Sequence, residues 1–241
     1  MLLRLFFGKL KDKNKKKLTA LTGAGISAES GLSTFRNSGG LWEGHNVMDV
    51  ASPEGWRRNK ELVLEFYNQR RRQLSKAEPN EAHFALVKLE EKYNVTVITQ
   101  NVDNLHERAG SSNVIHLHGE LTKARSSLDP DLIYEIGNKD INIGDKCGLG
   151  SQLRPHVVWF GEAVPMMGEA MKHSYETDIF LIIGTSLVVY PAASLVEFVP
   201  ENSDIYLIDP SKPENYNYHS RIQFIQKKAT EGTKELLGIL L

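Results

Sequence analysis

Lys17-Leu18-Thr19-Ala20-Leu21-Thr22-Gly23-Ala24-Gly25-Ile26-Ser27-Ala28 is the stretch on which the fold turns. Its first six residues read as a short buried strand that stops at Gly23. The next six satisfy G-x-G-x-x-A, where glycines permit a tight turn and close backbone approach to a pyrophosphate, whose charge a following helix N-terminus meets. Alone, the pattern does not separate a dinucleotide loop from a Gly-rich turn with no ligand. A dehydrogenase would add an acid at the end of its second strand, about 20 residues on. Glu43 and Asp49 lie near that distance but among Gly, Trp and His, not after a strand. Hydride transfer is therefore disfavoured.

Outward from the loop, Val95–Thr99, Asn113–His118, Phe180–Gly184 and Ile205–Asp209 read as further strands. Ala51–Ala77 carries apolar and charged residues at helical spacing, with Pro53 near its start. Asn80–Tyr93 repeats Ala82, Ala85, Leu86 and Leu89 on one helical face, and Thr230–Leu240 closes as a helix. Strands alternating with helices predict an α/β fold: a Rossmann-like open, mostly parallel sheet. Two intervals break the rhythm and are expected to form a second, smaller lobe. The expected division is a Rossmann-like unit from 1–34, 76–120 and 156–241, a helical insertion at 35–75, and a second insertion at 121–155.

The 241 residues suffice for a sizeable core. A net charge of −1 argues against nucleic-acid binding, which needs a basic excess. No stretch approaches the 18 apolar residues of a membrane span, so no membrane association is expected. The apolar start, Met1–Phe7, precedes rather than follows the basic run Lys11–Lys17, the wrong order for a signal peptide. With Cys147 the single cysteine, no internal disulfide is possible, and a reducing, cytoplasmic setting is expected.

The loop continues Glu29-Ser30-Gly31-Leu32-Ser33-Thr34-Phe35-Arg36, and four further blocks follow in order. They are Thr99-Gln100-Asn101-Val102-Asp103, His118-Gly119-Glu120, Val158-Trp159-Phe160-Gly161-Glu162 and Gly184-Thr185-Ser186. This series resembles the sirtuin family of NAD-dependent protein deacylases from about Leu18 to the C-terminus. The resemblance implies NAD as the consumed cofactor and acylated lysine side chains of proteins as partners. Gly23, Ala24, Gly25, Ser27 and Ala28 would hold the pyrophosphate, with Arg36 as a charged contact and Phe35 covering the nicotinamide. Asp103 would accept the carboxamide N–H, beside Asn101 and Gln100; a helix cap is the plainer role for Asp103, and a core aromatic for Phe35. Gly184, Thr185, Ser186, Asp209 and Ala229 would line the rest of the dinucleotide site. The family more often places an Asn-containing sequence at Asp209.

His118 is implied as the general base, a role an imidazole suits near neutral pH; His116 receives none. In the implied reaction the acyl-lysine amide oxygen attacks the anomeric carbon as nicotinamide leaves. His118 then takes a proton from the ribose hydroxyls, the 2′-OH attacks the imidate, and free lysine and O-acyl-ADP-ribose result. Val157–Glu162, with Val158, Phe160 and Gly161, and Leu187–Tyr190 resemble segments that flank a substrate peptide as an added strand; buried sheet is their plainer reading.

Tyr67 and Arg70, three apart on a helix, resemble the pair of sirtuins that remove succinyl or malonyl groups. A guanidinium can bind a terminal carboxylate bidentately and a phenol can add a hydrogen bond. The plainer reading is that Arg70, Arg71 and Arg72 form a solvated face. Sirtuins commonly hold a structural zinc with four cysteines. Interval 121–155 has only Cys147, Ser126 stands where a first cysteine is expected, and His156 is the nearest histidine, so zinc is expected to be absent. Two rival functions use the same pocket: protein ADP-ribosyl transfer, and NAD or ADP-ribose binding without catalysis.

Overall fold

The computed structural model describes residues 14–33, 41–42, 44–212 and 221–241. The opening strand forms as β1 (Lys17–Thr22) and turns through Gly23 into a single helical turn, α1 (Ala24–Ser27). A two-residue hairpin, β2 (Leu41–Trp42) and β3 (His45–Asn46), leads to α2 (Val47–Val50). The long helical run expected over Ala51–Ala77 is two helices, α3 (Pro53–Arg58) and α4 (Lys60–Leu74). Asn59 causes the break: its side chain accepts from the Leu62 N–H at 2.9 Å, so it caps α4 where α3 ends. Ser52 caps α3 in the same way, with Pro53 at the first helical position.

Next come α5 (Glu81–Leu89), β4 (Asn94–Thr99), α6 (Leu105–Ala109) and β5 (Val114–His116). Asn80 caps α5, and its amide also donates to the Ile26 carbonyl at 2.8 Å, tying that helix to the glycine turn. Three strands of the small lobe follow: β6 (Gly119–Ser126), β7 (Ile133–Glu135) and β8 (Leu153–Val157). The chain then returns through α7 (Met167–Tyr175), β9 (Ile179–Ile183), β10 (Asp204–Ile208), β11 (Ile222–Ile225) and α8 (Ala229–Leu240).

Six strands form one wholly parallel sheet in the order β11-β10-β9-β1-β4-β5. The fold is α/β and Rossmann-like, as expected. Its strands alternate between two apolar layers. Leu18, Ala20, Leu181 and Ile183 pack toward α5 and α8, while Leu21, Phe180, Ile182 and Leu207 pack on the face that carries α7. Both faces are thus buried, the condition under which parallel sheets occur.

A separate antiparallel sheet, β7-β6-β8, packs with α2, α3 and α4 around a third cluster that includes Trp56, Phe66, Tyr67 and Trp159. The interval 121–155, expected as the second insertion, contains most of this sheet. The strand expected over Asn113–His118 ends at His116; Leu117 and His118 form a turn into β6. Gly119 makes that turn possible with φ +79°, a conformation that side chains disfavour. From β1 the chain builds outward to β4 and β5, then crosses to β9 on the other side. The strand order therefore reverses between β1 and β9, and ligands of open α/β sheets bind at the carboxyl ends of strands at such a point.

Candidate functional site

At the reversal the turns after β1 and β9 interlock. Gly23 N–H donates to the Ile183 carbonyl at 3.0 Å and Gly25 N–H to the Gly184 carbonyl at 2.8 Å. A Cβ on Gly25 would lie 2.6 Å from Gly184 Cα, and one on Gly23 would lie 2.8 Å from Thr185 Cβ. The glycines are thus required by turn-to-turn packing inside the protein, a reason beyond close approach to a ligand. Beside them opens a cavity of about 760 Å³, within the range of roughly 300–1,000 Å³ usual for small-molecule sites.

Gly23, Ala24, Gly25, Ser27, Ala28, Gly184, Thr185 and Ser186 line one end of it. Beyond them lies a buried polar cluster. Asn101 donates from Nδ2 to the Gly23 carbonyl at 3.2 Å and to Ser27 Oγ at 3.1 Å. Ser27 in turn donates to Asp103 Oδ2 at 3.0 Å, and Gln100 donates to Thr185 Oγ1 at 3.1 Å. Asp103 Oδ1 accepts from the Leu105 N–H at 3.1 Å, so the same carboxyl both steadies the start of α6 and faces the cavity. Burial pushes its pKa up against the two hydrogen bonds.

His118 lines the same cavity, opposite in chemistry to its neighbour His116. The Nδ1–H of His118 donates to the Gln100 carbonyl at 2.9 Å, leaving Nε2 as the basic nitrogen. Burial lowers the pKa of His118, with the Gln100 contact opposing. His116 donates to the Asn101 carbonyl at 3.2 Å and pairs with Glu107 at 2.7 Å. Burial disfavours charge there too, but the Glu107 carboxylate outweighs it, and the pKa of His116 is raised.

Helix α4 supplies the far wall with Tyr67 and Arg70. The three consecutive arginines part company here. Arg71 is fully buried, donating to the Leu121 carbonyl at 2.7 Å and to Asn68 Oδ1 at 2.8 Å. Arg72 is exposed and pairs with Glu65 and Asp140. Arg70 is half-buried at the cavity, its guanidinium 5.8 Å from the Phe66 ring centre. A solvated arginine face therefore describes Arg72 alone.

Val158, Phe160 and Gly161 form a rim, with Val188 and Tyr190 also lining the cavity. Val158 N–H donates to the His118 carbonyl at 2.9 Å and Phe160 N–H to the Ala51 carbonyl at 3.0 Å, so this segment bridges both lobes. Asp209, just past β10, and Ala229, the first residue of α8, also line the cavity, beside the Gly184 turn, whose N–H donates to the Ile208 carbonyl at 2.9 Å. The start of α8 is held by Glu29, whose carboxylate accepts from Thr230 N at 3.1 Å and Thr230 Oγ1 at 2.9 Å. Phe35 and Arg36 lie outside the described residues. Trp159, Glu162 and Glu29 also line the cavity and were not singled out from the sequence. They stood inside quoted blocks, but Trp159 meets Tyr67 across 92 positions, Glu29 meets Thr230 across 201 and Glu162 meets Arg125 across 37.

The Sir2 family model matches residues 23–191. A curated relative from Bacteroides thetaiotaomicron, named as an NAD-dependent protein deacylase, is 54% identical over 231 residues, spanning 94% of this chain and 98% of its own. Among solved structures, a Sir2 homologue in complex with NAD matches with a TM-score of 0.84 at 40% identity, covering 94% of this chain and 90% of that one. A Sir2 complex with a p53 peptide and NAD+ matches with a TM-score of 0.77 at 29% identity, covering 94% of each.

Proposed function

The chain belongs to the Sir2 family, and from that premise we propose an NAD-dependent protein-lysine deacylase that prefers acidic acyl groups, succinyl and malonyl. The observation that carries the preference is the cavity wall: Tyr67 and Arg70 line the same space as His118 and Asp103. An Arg and a phenol within one helical turn can take both ends of a carboxylate's hydrogen-bonding capacity.

The side chains present fit NAD. The interlocked glycine turns would hold the pyrophosphate, Asp209 and Ala229 the adenosine end, and Asn101, Gln100 and Asp103 the nicotinamide riboside. Bound NAD supplies the ADP-ribosyl group and a leaving group. His118, neutral at pH 7 and oriented by the Gln100 carbonyl, accepts a proton at Nε2. The main chain of Val158–Gly161 and Leu187–Tyr190 would pair with an extended peptide, which explains recognition of lysines in varied sequences. In this reading 1–34, 76–120 and 156–241 bind NAD, and 35–75 with 121–155 complete the acyl pocket.

A tetrathiolate zinc site does not fit the small lobe. Ser126 Oγ accepts from the Leu128 and Asp129 N–H groups at 3.1 and 3.0 Å and pairs with Ser151 Oγ at 2.8 Å. Ser151 in turn meets Cys147 Sγ at 3.1 Å. Two hydroxyls and one thiol in mutual hydrogen bonds replace a four-ligand set. We read this lobe as zinc-independent.

The test is a matched pair of succinyl- and acetyl-lysine peptides with Arg70→Met. Desuccinylation should fall by about tenfold or more, since a charged hydrogen bond contributes on the order of 1.5–3 kcal/mol, while deacetylation is spared. Equal loss of both activities would remove the acidic preference. Product analysis separates the rival reaction: O-acyl-ADP-ribose marks deacylation, a modified protein marks ADP-ribosyl transfer.

A further inference from the structure

Trp159 is 2% exposed and held from every side. Its backbone N–H donates to Glu162 Oε2 at 2.8 Å, and Glu162 also accepts from Arg125 and, through both oxygens, from Arg154. The Arg154 guanidinium lies 3.2 Å from the Trp159 ring centre and also donates to the Val157 carbonyl. The Trp56 ring packs nearby at 5.7 Å. The indole so fixed points its Nε1–H at the Tyr67 hydroxyl, 3.1 Å away.

An indole N–H can only donate, so the Tyr67 oxygen must accept here and its own proton must go elsewhere. Tyr67 is fully buried in the cavity wall, and among the described residues its hydroxyl makes this one hydrogen bond. A buried O–H with its donor capacity unspent calls for an acceptor in the cavity. Burial also raises the Tyr67 pKa, keeping the phenol protonated.

We infer that Trp159 is the positioning residue of the acyl pocket: its indole N–H occupies the acceptor side of Tyr67 and directs the phenolic proton to the terminal carboxylate of an acidic acyl group. The inference rests on the acidic-acyl reading of Tyr67 and Arg70. It extends that reading to a residue that need not touch the carboxylate. Arg154 and Glu162 act one step further back, by holding the indole.

Trp159→Phe keeps an aromatic ring over Arg154 but removes the N–H along with the fused second ring, so the acetyl peptide is the control for lost packing. KM for a succinyl-lysine peptide should rise by about three- to tenfold, the effect of one lost hydrogen bond, with KM for the acetyl peptide and both kcat values nearly unchanged. In Tyr67→Phe the same substitution should add nothing, because the group it positions is gone. Equal KM increases for both peptides, no change, or full additivity with Tyr67→Phe would overturn the inference. If Tyr67→Phe is selective for succinyl but Trp159→Phe is silent, only the positioning role fails. If Tyr67→Phe and Arg70→Met treat both acyl groups alike, the pocket reading fails and takes this inference with it. Should Trp159→Phe not fold, the indole 15N–H resonance of Trp159 decides. It should move in Tyr67→Phe and on adding succinyl-lysine but not acetyl-lysine peptide; an unmoved resonance overturns the inference.

Discussion

His116 and His118 stand two residues apart, and their surroundings drive their titrations in opposite directions. Glu107 holds His116 toward its charged form, which makes it an ion-paired strut for α6. Among the described residues His118 has a carbonyl as its hydrogen-bond partner, and burial lowers its pKa, so it stays neutral and basic at physiological pH. A general base must be unprotonated, so activity should be lost as pH falls through a pKa below the ordinary 6.5. The expected kcat/KM profile is level above about pH 6.5 and declines below it; an acidic limb centred above that value would contradict the role. The candidate base was legible in the block His118-Gly119-Glu120 through its family resemblance. The carbonyl that sets its tautomer was not, because Gln100 lies on another strand end and reaches it only through the parallel pairing of β4 and β5.

At the level of elements, the two turns at the switch point form one unit, since Gly23, Gly25 and Gly184 each lack the atom that would strike the other turn. Sequence reading finds the first turn from its spacing, but the contact with Gly184 is a property of β1 and β9 lying side by side. The small lobe has a different device: Ser126, at the end of β6, bonds Ser151, just before β8, and Ser151 bonds Cys147. Ser151→Ala would leave the buried Ser126 and Cys147 short of a partner, costing about 1–3 kcal/mol. For a chain of this size that lowers Tm by about 2–4 °C per kcal/mol. A metal chelator should leave the Tm of the unsubstituted protein in place. One bound zinc per chain, or a chelator-induced drop in Tm, would overturn the zinc-independent reading of this lobe.

Across the whole molecule, two buried histidines couple the fold to pH. His83 serves the cap of α5 through Nδ1, and its ring meets that of His106 at 4.9 Å, while His106 pairs with Thr22 of β1. Burial lowers the pKa of His83 to about 4 and that of His106 well below its ordinary value. The unfolded chain therefore binds more protons below pH 6.5, so stability present above that pH is lost as pH falls toward 4. For His83 the loss is on the order of 3 kcal/mol by pH 4. His116, raised by Glu107, works in the opposite sense and offsets part of it. Denaturant midpoints measured from pH 7 to pH 4 should fall, and His83→Gln, which can still serve the cap, should flatten the decline. An unchanged slope would show that His83 is not the linked group. Local pattern and spacing by themselves determined the mostly parallel α/β class, the glycine turn and the ordered blocks, because strand periodicity and turn chemistry are properties of near neighbours. Only the tertiary structure decided the separate fates of Arg70, Arg71 and Arg72, the antiparallel small sheet and the Trp159–Tyr67 contact. Each depends on which partner packing brings within about 3 Å, and Trp159 and Tyr67 stand 92 positions apart in the chain.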